Sequence, residues 1–274
     1  MGKQRHGGSS WWGQTTNGVK NWIGVSVIAA LVVASGIGIA ALEQRSRALA
    51  SDPVPRTTFT LPASPTPTVE PAPTAAPRVV DLDFTTLGRL PEETDAGAVI
   101  GTRETGRNQS PLAVEDRALR HGVPTGPNAA SYLEAPIGKP VDVLGADVIF
   151  PRDNPGQIAL VVWGEQLTDG GPIPTAGIHF VADSATWHVS VWNNGETNYA
   201  EGSYTPGPKD GKTKQTFQII RSGDRIWIQL PDGRTEGPIQ NAAIQELSSE
   251  WASWELYEYD QSREPAAFAR VWAG

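Results

Sequence analysis

"TFQIIRSGDRIWIQLPDG" runs from Thr216 to Gly233. Two short runs rich in β-branched and aromatic residues, Thr216 to Ile220 and Arg225 to Leu230, flank Ser222–Gly223, and Pro231–Asp232–Gly233 follows the second. Such side chains suit a pleated, half-buried surface, while Gly, Asp and Pro supply the backbone geometry of tight turns. The stretch therefore predicts an antiparallel hairpin. In its second arm the two-residue period sends Ile226, Ile228 and Leu230 to one face and Trp227 and Gln229 to the other.

The same texture continues in both directions. "VVDLDF" (Val79 to Phe84) puts Val80, Leu82 and Phe84 on one side and Asp81 and Asp83 on the other. "ADVIF" (Ala146 to Phe150), "IALVVW" (Ile158 to Trp163), "GIHFV" (Gly177 to Val181) and "TWHVSVW" (Thr186 to Trp192) follow. "WELYEY" (from Trp254) and "FARVW" (Phe268 to Trp272) close the series, and Asn194–Gly195 marks another turn. "SPLAVEDRALRHG" (Ser110 to Gly122) admits two readings. One is a helix capped by Ser110 with Pro111 in its first turn; the other is a pair of strands turning at Glu115–Asp116. The β texture around it favours the strands. Many strands with few helical candidates predict a mainly β, two-layer domain.

The chain has 274 residues and no cysteine, so its fold rests on core packing without disulfides or thiolate metal sites. Charge is unevenly spread. Residues 1–42 carry Lys3, Arg5 and Lys20 with no acid, whereas residues 80–274 hold 15 basic and 27 acidic residues, a net charge of −12. Such a surface repels phosphate and excludes nucleic acid as the partner of the main body.

Trp22 to Leu42 reads "WIGVSVIAALVVASGIGIAAL", without a charge. As a helix rising about 1.5 Å per residue it would cross a hydrocarbon layer of roughly 30 Å, so a transmembrane helix is expected over 22–42. "ALA" at Ala48 to Ala50 offers a small-x-small cleavage site, which would release a secreted protein. The apolar run is longer than a signal peptide's and a charged stretch separates it from that site, so an uncleaved anchor is the preferred reading. Residues 1–21 then form a cytoplasmic tail, and the carboxy-terminal body stands outside the cytoplasm, anchored to the cell membrane. Residues 43–78 contain "SDPVPRTTFTLPASPTPTVEPAPTAAPR", with eight prolines between Ser51 and Arg78. Proline fixes φ and removes amide donors, so a disordered, extended linker is expected, with one β domain over 79–274.

The order "LAVEDRALR" (Leu112 to Arg120), "SYLEAPIGKPVDVLGADVIF" (Ser131 to Phe150), "GQIALVVW" (Gly156 to Trp163), "GDRIWIQLPDGR" (Gly223 to Arg234) and "WELYEYD" (Trp254 to Asp260) resembles the concanavalin A-like lectin/glucanase superfamily, which includes laminin-G-like domains. The resemblance implies a jelly roll of two antiparallel sheets, one curved into a groove for glycan or protein. It departs from that pattern at Asp116–Arg117, where a glycine turn is usual.

Glycosidases of that fold carry E-x-D-x-x-E along one strand. Here the order is Glu255-x-x-Glu258-x-Asp260. Alternation groups Glu255 with Tyr257 and sends Trp254, Leu256 and Glu258 to the other side, so the two glutamates point apart. An ordinary strand is the simpler reading. Glu255 and Glu258 remain the candidates for an alternative in which the domain is a glycoside hydrolase or lyase.

No H-E-x-x-H, G-x-S-x-G or phosphate-binding loop occurs. His179 and His188 stand where two neighbouring strands could bring them to a metal, and Asp153, Asn154 and Asp169 offer oxygen atoms to Ca2+. Turn chemistry and strand packing account for these residues, so no metal or cofactor is assigned. With Val189 and Val191 inward, His188 and Trp192 face the opposite way, as do Trp227 and Gln229 in their own strand. These four are the candidate binding residues, aromatic platforms with hydrogen-bonding neighbours. The sequence thus reads as a membrane-anchored envelope protein whose non-catalytic sandwich binds a glycan or a protein. A structural component of an envelope complex is a further alternative.

Overall fold

The computed structural model describes residues 71–73, 77–106, 110–122, 129–152, 156–168, 174, 176–193, 196–258 and 266–274. The expected tail 1–21, membrane helix 22–42 and all of linker 43–78 except 71–73, 77 and 78 lie outside the described residues. So do Asp153, Asn154, Asp169 and the turn Asn194–Gly195. Among the described residues no helix is long and apolar enough to cross a membrane.

Two antiparallel sheets form a sandwich. One runs β13 (Thr235–Gln240), β12 (Arg225–Gln229), β11 (Lys214–Ser222), β6 (Val143–Ile149), β15 (Ala267–Ala273), β4 (Ala118–His121) and β3 (Leu112–Glu115), with β1 (Val80–Asp83) also paired to β15. The other runs β10 (Glu196–Ser203), β9 (Thr186–Asn193), β8 (Ala176–Ala182), β7 (Gln157–Trp163), β14 (Trp251–Glu258), β5 (Ala129–Pro136) and β2 (Gly101–Gly106). A short helix, α1 (Ala242–Glu246), precedes β14 and is capped by Asn241, whose side-chain oxygen accepts from the Ala243 amide at 2.8 Å.

The inward faces follow the alternation expected from sequence. Val80, Leu82, Phe84, Val189, Val191, Ile226, Ile228 and Leu230 all pack into the core between the sheets. Phe217 of β11 meets Phe150, Phe180 and Tyr204 at ring-centroid distances of 6.2, 6.0 and 5.4 Å. Trp254 of β14 reaches across the core, its Nε1 donating to the Gly145 carbonyl of β6 at 2.9 Å. A buried indole N–H therefore links the two sheets and is itself satisfied.

The opening hairpin is β11 and β12, with Ser222 opposite Arg225 and Gly223 at φ +59°. Ser110 to Gly122 forms the strand pair β3 and β4, with Glu115 opposite Ala118. Its two turn residues, Asp116 and Arg117, both take positive φ, 49° and 64°. That mirror-image turn matches the right-handed twist of the flanking strands, and here it forms without glycine.

Candidate functional site

The outward face of the seven-stranded sheet carries an unusual set of side chains. Strand register defines three rows across it. Trp192 (β9) lies opposite Gly177 (β8), Gly177 opposite Trp163 (β7), Trp163 opposite Trp251 (β14) and Trp251 opposite Pro136 (β5). The next row is Ser190, His179, Val161, Ser253, Glu134 and Gly101. The third is His188, Val181, Ala159, Glu255, Tyr132 and Arg103. An outward sheet face is ordinarily wet, yet Glu134 and Glu255 are 0% and 1% exposed, and His179, Ser253 and Trp163 are buried beside them.

Part of the cover is the chain leaving β7. Leu167 is buried without joining the core between the sheets. Its amide donates to Glu134 Oε2 at 3.1 Å and its carbonyl accepts from Arg103 Nε at 3.1 Å. Arg103 Nε also lies 3.1 Å from Glu134 Oε1. The buried carboxylate thus gains a guanidinium and a backbone donor, partners that a buried charge requires.

Glu255 is differently placed. Its Oε2 lies 3.4 Å from Nε2 of His179, and the His179 ring stacks near Trp163 with centroids 6.3 Å apart and planes at 28°. On this face Glu255 Oε1, Ser253 Oγ and Trp163 Nε1 are buried with no hydrogen-bond partner among the described residues. At the end of the third row, His188 is pushed down to about 4, chiefly by burial and secondarily by His179, with Asp183 opposing.

The four candidate binding residues do not share one face. Trp192 and His188 stand on the outward face just described, both half-buried. Trp227 and Gln229 are on β12, on the outward face of the other sheet. Trp227 is buried at 3% exposure opposite Ile220, and Gln229 Oε1 accepts from Gln218 Nε2 at 3.0 Å. Gln218 in turn accepts from Trp272 Nε1 at 2.8 Å, and the Arg78 guanidinium lies 4.6 Å from the centre of the Trp272 ring. Gln229 and Trp272 there form the two ends of a connected polar row.

Of the two candidate carboxylates, Glu255 lies in the middle of the seven-stranded sheet. β14 pairs without a register shift from Trp251 to Glu258, so position 258 falls on the opposite face from 255; the Glu258 side chain lies outside the described residues. His179 and His188 share a face on adjacent strands, and the partner at His179 Nε2 is Glu255. Among the described residues no group of three or more His, Asp or Glu is arranged to hold a metal ion.

Sequence reasoning missed Trp251, Ser253, Glu134, Arg103 and Trp163. Extending the alternation of β14 two steps towards its start would have grouped Trp251 and Ser253 with Glu255. The unbroken run "IALVVW" was itself a signal, since a strand apolar on both sides is covered on both sides.

No family model matches the chain, and no curated protein matches it. Several solved structures are similar. The carbohydrate-binding module CBM66 from Bacillus subtilis is 16% identical with a TM-score of 0.42, covering 61% of this chain and 91% of that one. The legume lectin-like domain from Entamoeba histolytica is 14% identical at 0.43, covering 64% and 87%. The metal-free exoplasmic/lumenal domain of VIP36 is 9% identical at 0.49, covering 72% and 92%.

Proposed function

We propose that residues 79–274 are a non-catalytic, concanavalin A-like jelly roll that binds a glycan of the cell envelope. In this reading an uncleaved helix over 22–42 anchors the protein in the cell membrane, and the Pro-rich linker 43–78 carries the domain away from its surface. The observation that carries the binding reading is the row of Trp192, Trp163 and Trp251 across one outward face, with His179 in the next row and His188, Glu255 and Arg103 in the row beyond. Indole faces stack on the C–H faces of sugar rings, and convergent polar groups fix hydroxyls. Trp192 and Trp251 are half-buried and so present ring surface at the two ends of the row.

The test is retention of the full-length, detergent-solubilised chain on cell-wall and polysaccharide fractions. Retention that falls on Trp192→Ala or Trp251→Ala supports the reading, and no retention on any fraction overturns it. Anchoring is tested separately. Protease added to intact spheroplasts should remove the carboxy-terminal domain; protection that ends only on lysis would contradict an extracytoplasmic location.

Catalysis is the second reading, favoured by one observation. Glu134 and Glu255 are buried carboxylates on adjacent strands in diagonal positions, which places their backbones about 7–8 Å apart. An increase in reducing ends from any retained polysaccharide, abolished by Glu255→Gln, would establish it in place of simple binding.

A further inference from the structure

We infer that the floor formed by Glu255, Ser253, His179 and Trp163 selects a saccharide bearing a free, protonated amino group. The inference rests on the glycan-binding reading and deepens it by naming the ligand's charge. Glu255 is all but fully buried, one carboxylate oxygen meets His179, and the other has no hydrogen-bond partner among the described residues. An acceptor so placed calls for a donor. On the same strand Ser253 Oγ is buried and, among the described residues, without a hydrogen-bond partner, as is the Trp163 Nε1 donor in the row beyond. Outward positions two residues apart on a strand are separated by about 6.6 Å, the scale of a single sugar ring carrying a donor beside an acceptor.

Charge narrows the choice. Two carboxylates lie on this floor, and the Arg103 guanidinium is drawn to Glu134 and the Leu167 carbonyl. Among the described residues the hydrogen-bonding partner of Glu255 is an imidazole, so the carboxylate is compensated by a cationic ligand and opposed by an anionic one. The rings of Trp163, Tyr132, Tyr257 and Trp251 occupy the same sheet face, and aromatic faces attract ammonium groups. An amino sugar supplies the cation, its three donors and neighbouring hydroxyl acceptors in one unit.

Calorimetric titration of the full-length protein at pH 6 tests this with four probes of matched length: glucosamine oligomers, their N-acetylated forms, cello-oligosaccharides and oligogalacturonates. The free-amine oligomers are expected to bind at least about tenfold tighter than the N-acetylated and neutral ones, with the anionic probe weakest. Glu255→Gln, which keeps the shape and removes the charge, should reduce that ratio to within about threefold. Should the variant fail to fold, the wild-type ranking alone decides, because N-acetylation removes the ammonium from the ligand side. Binding without an amine preference overturns this inference and leaves the glycan-binding reading standing. A lysine-containing peptide binding where glucosamine oligomers do not would assign the site to a protein and overturn both, as would no binding by any saccharide.

Discussion

Trp163 lies across Gly177, its cross-strand partner, so closely that a Cβ at position 177 would stand 2.5 Å from the indole Cε3. Glycine here makes room for a ring. With Trp192 opposite Gly177 on the far side, the gap between two indoles is filled by the ring of one of them.

Gly177→Ala should therefore displace Trp163. Overpacking of this kind costs about 1–3 kcal/mol, read as a lower urea midpoint at unchanged slope. The same variant should lose glycan retention beyond what its stability explains, assayed at a temperature where it remains folded.

The two outward faces should respond differently to truncation. Trp192→Ala and Trp251→Ala should weaken retention by about tenfold each, with a small change in melting temperature because both rings are half-buried. Trp227→Ala, on the other sheet and at 3% exposure, should cost about 3 kcal/mol of stability and leave retention unchanged below its melting temperature.

Glu134 should matter as a fastener. Glu134→Ala strands the Leu167 amide and removes the carboxylate beside Arg103, a loss of about 2–4 kcal/mol for a buried charged network. Hydrogen exchange of the Leu167 amide should accelerate more than that of the β7 amides next to it. Equal acceleration of both would mean that the sheet, and not its cover, had opened.

Stability should fall between pH 6.5 and 4. Burial holds His121 down to about 4, with a hydrogen bond to the Ser110 backbone opposing, and burial and His179 do the same to His188. In the unfolded chain both titrate near 6.5, so over this window the unfolded state binds more protons than the native state. Their contribution is fully present above pH 6.5 and is lost as pH falls through 4, on the order of 3 kcal/mol per histidine at most. Asp83 and Asp210 are held below the ordinary carboxylate range, Asp83 by Thr85 and Asp210 by the Thr213 and Lys212 amides, so their loss falls at lower pH. Urea midpoints of the wild type and of His121→Gln at pH 7 and 4.5 check this, the variant showing the shallower decline.

Strands in the interior of the sheets were legible because both of their faces are spoken for. Ile158 to Trp163 and Ile226 to Leu230 carry apolar periodicity that leaves little choice. Of the unread strands, β2, β10 and β13 are sheet margins, where "GTRETG", "ETNYAEGS" and "TEGPIQ" need bury only part of one side, and polar residues, glycine or proline are tolerated; β5 lies inside its sheet, and the buried polar Ser131 and Glu134 of "AASYLEAP" hid it. The candidate site was half legible for a related reason. Alternation gives the face of each residue within its own strand, so Trp192 and His188 were correctly paired. It carries no information about which sheet a strand joins, and Trp227 and Glu255 could be placed relative to them only once register and sheet order were known.

The assignment of glycan binding to the seven-stranded sheet is tested most directly by the indole N–H signals of the chain's ten tryptophans, followed by NMR as envelope oligosaccharide is added. Shifts at Trp192, Trp163 and Trp251, with Trp227 and Trp272 unmoved, are the predicted result. Shifts confined to Trp227 and Trp272 would move the binding face to the other sheet and contradict the account.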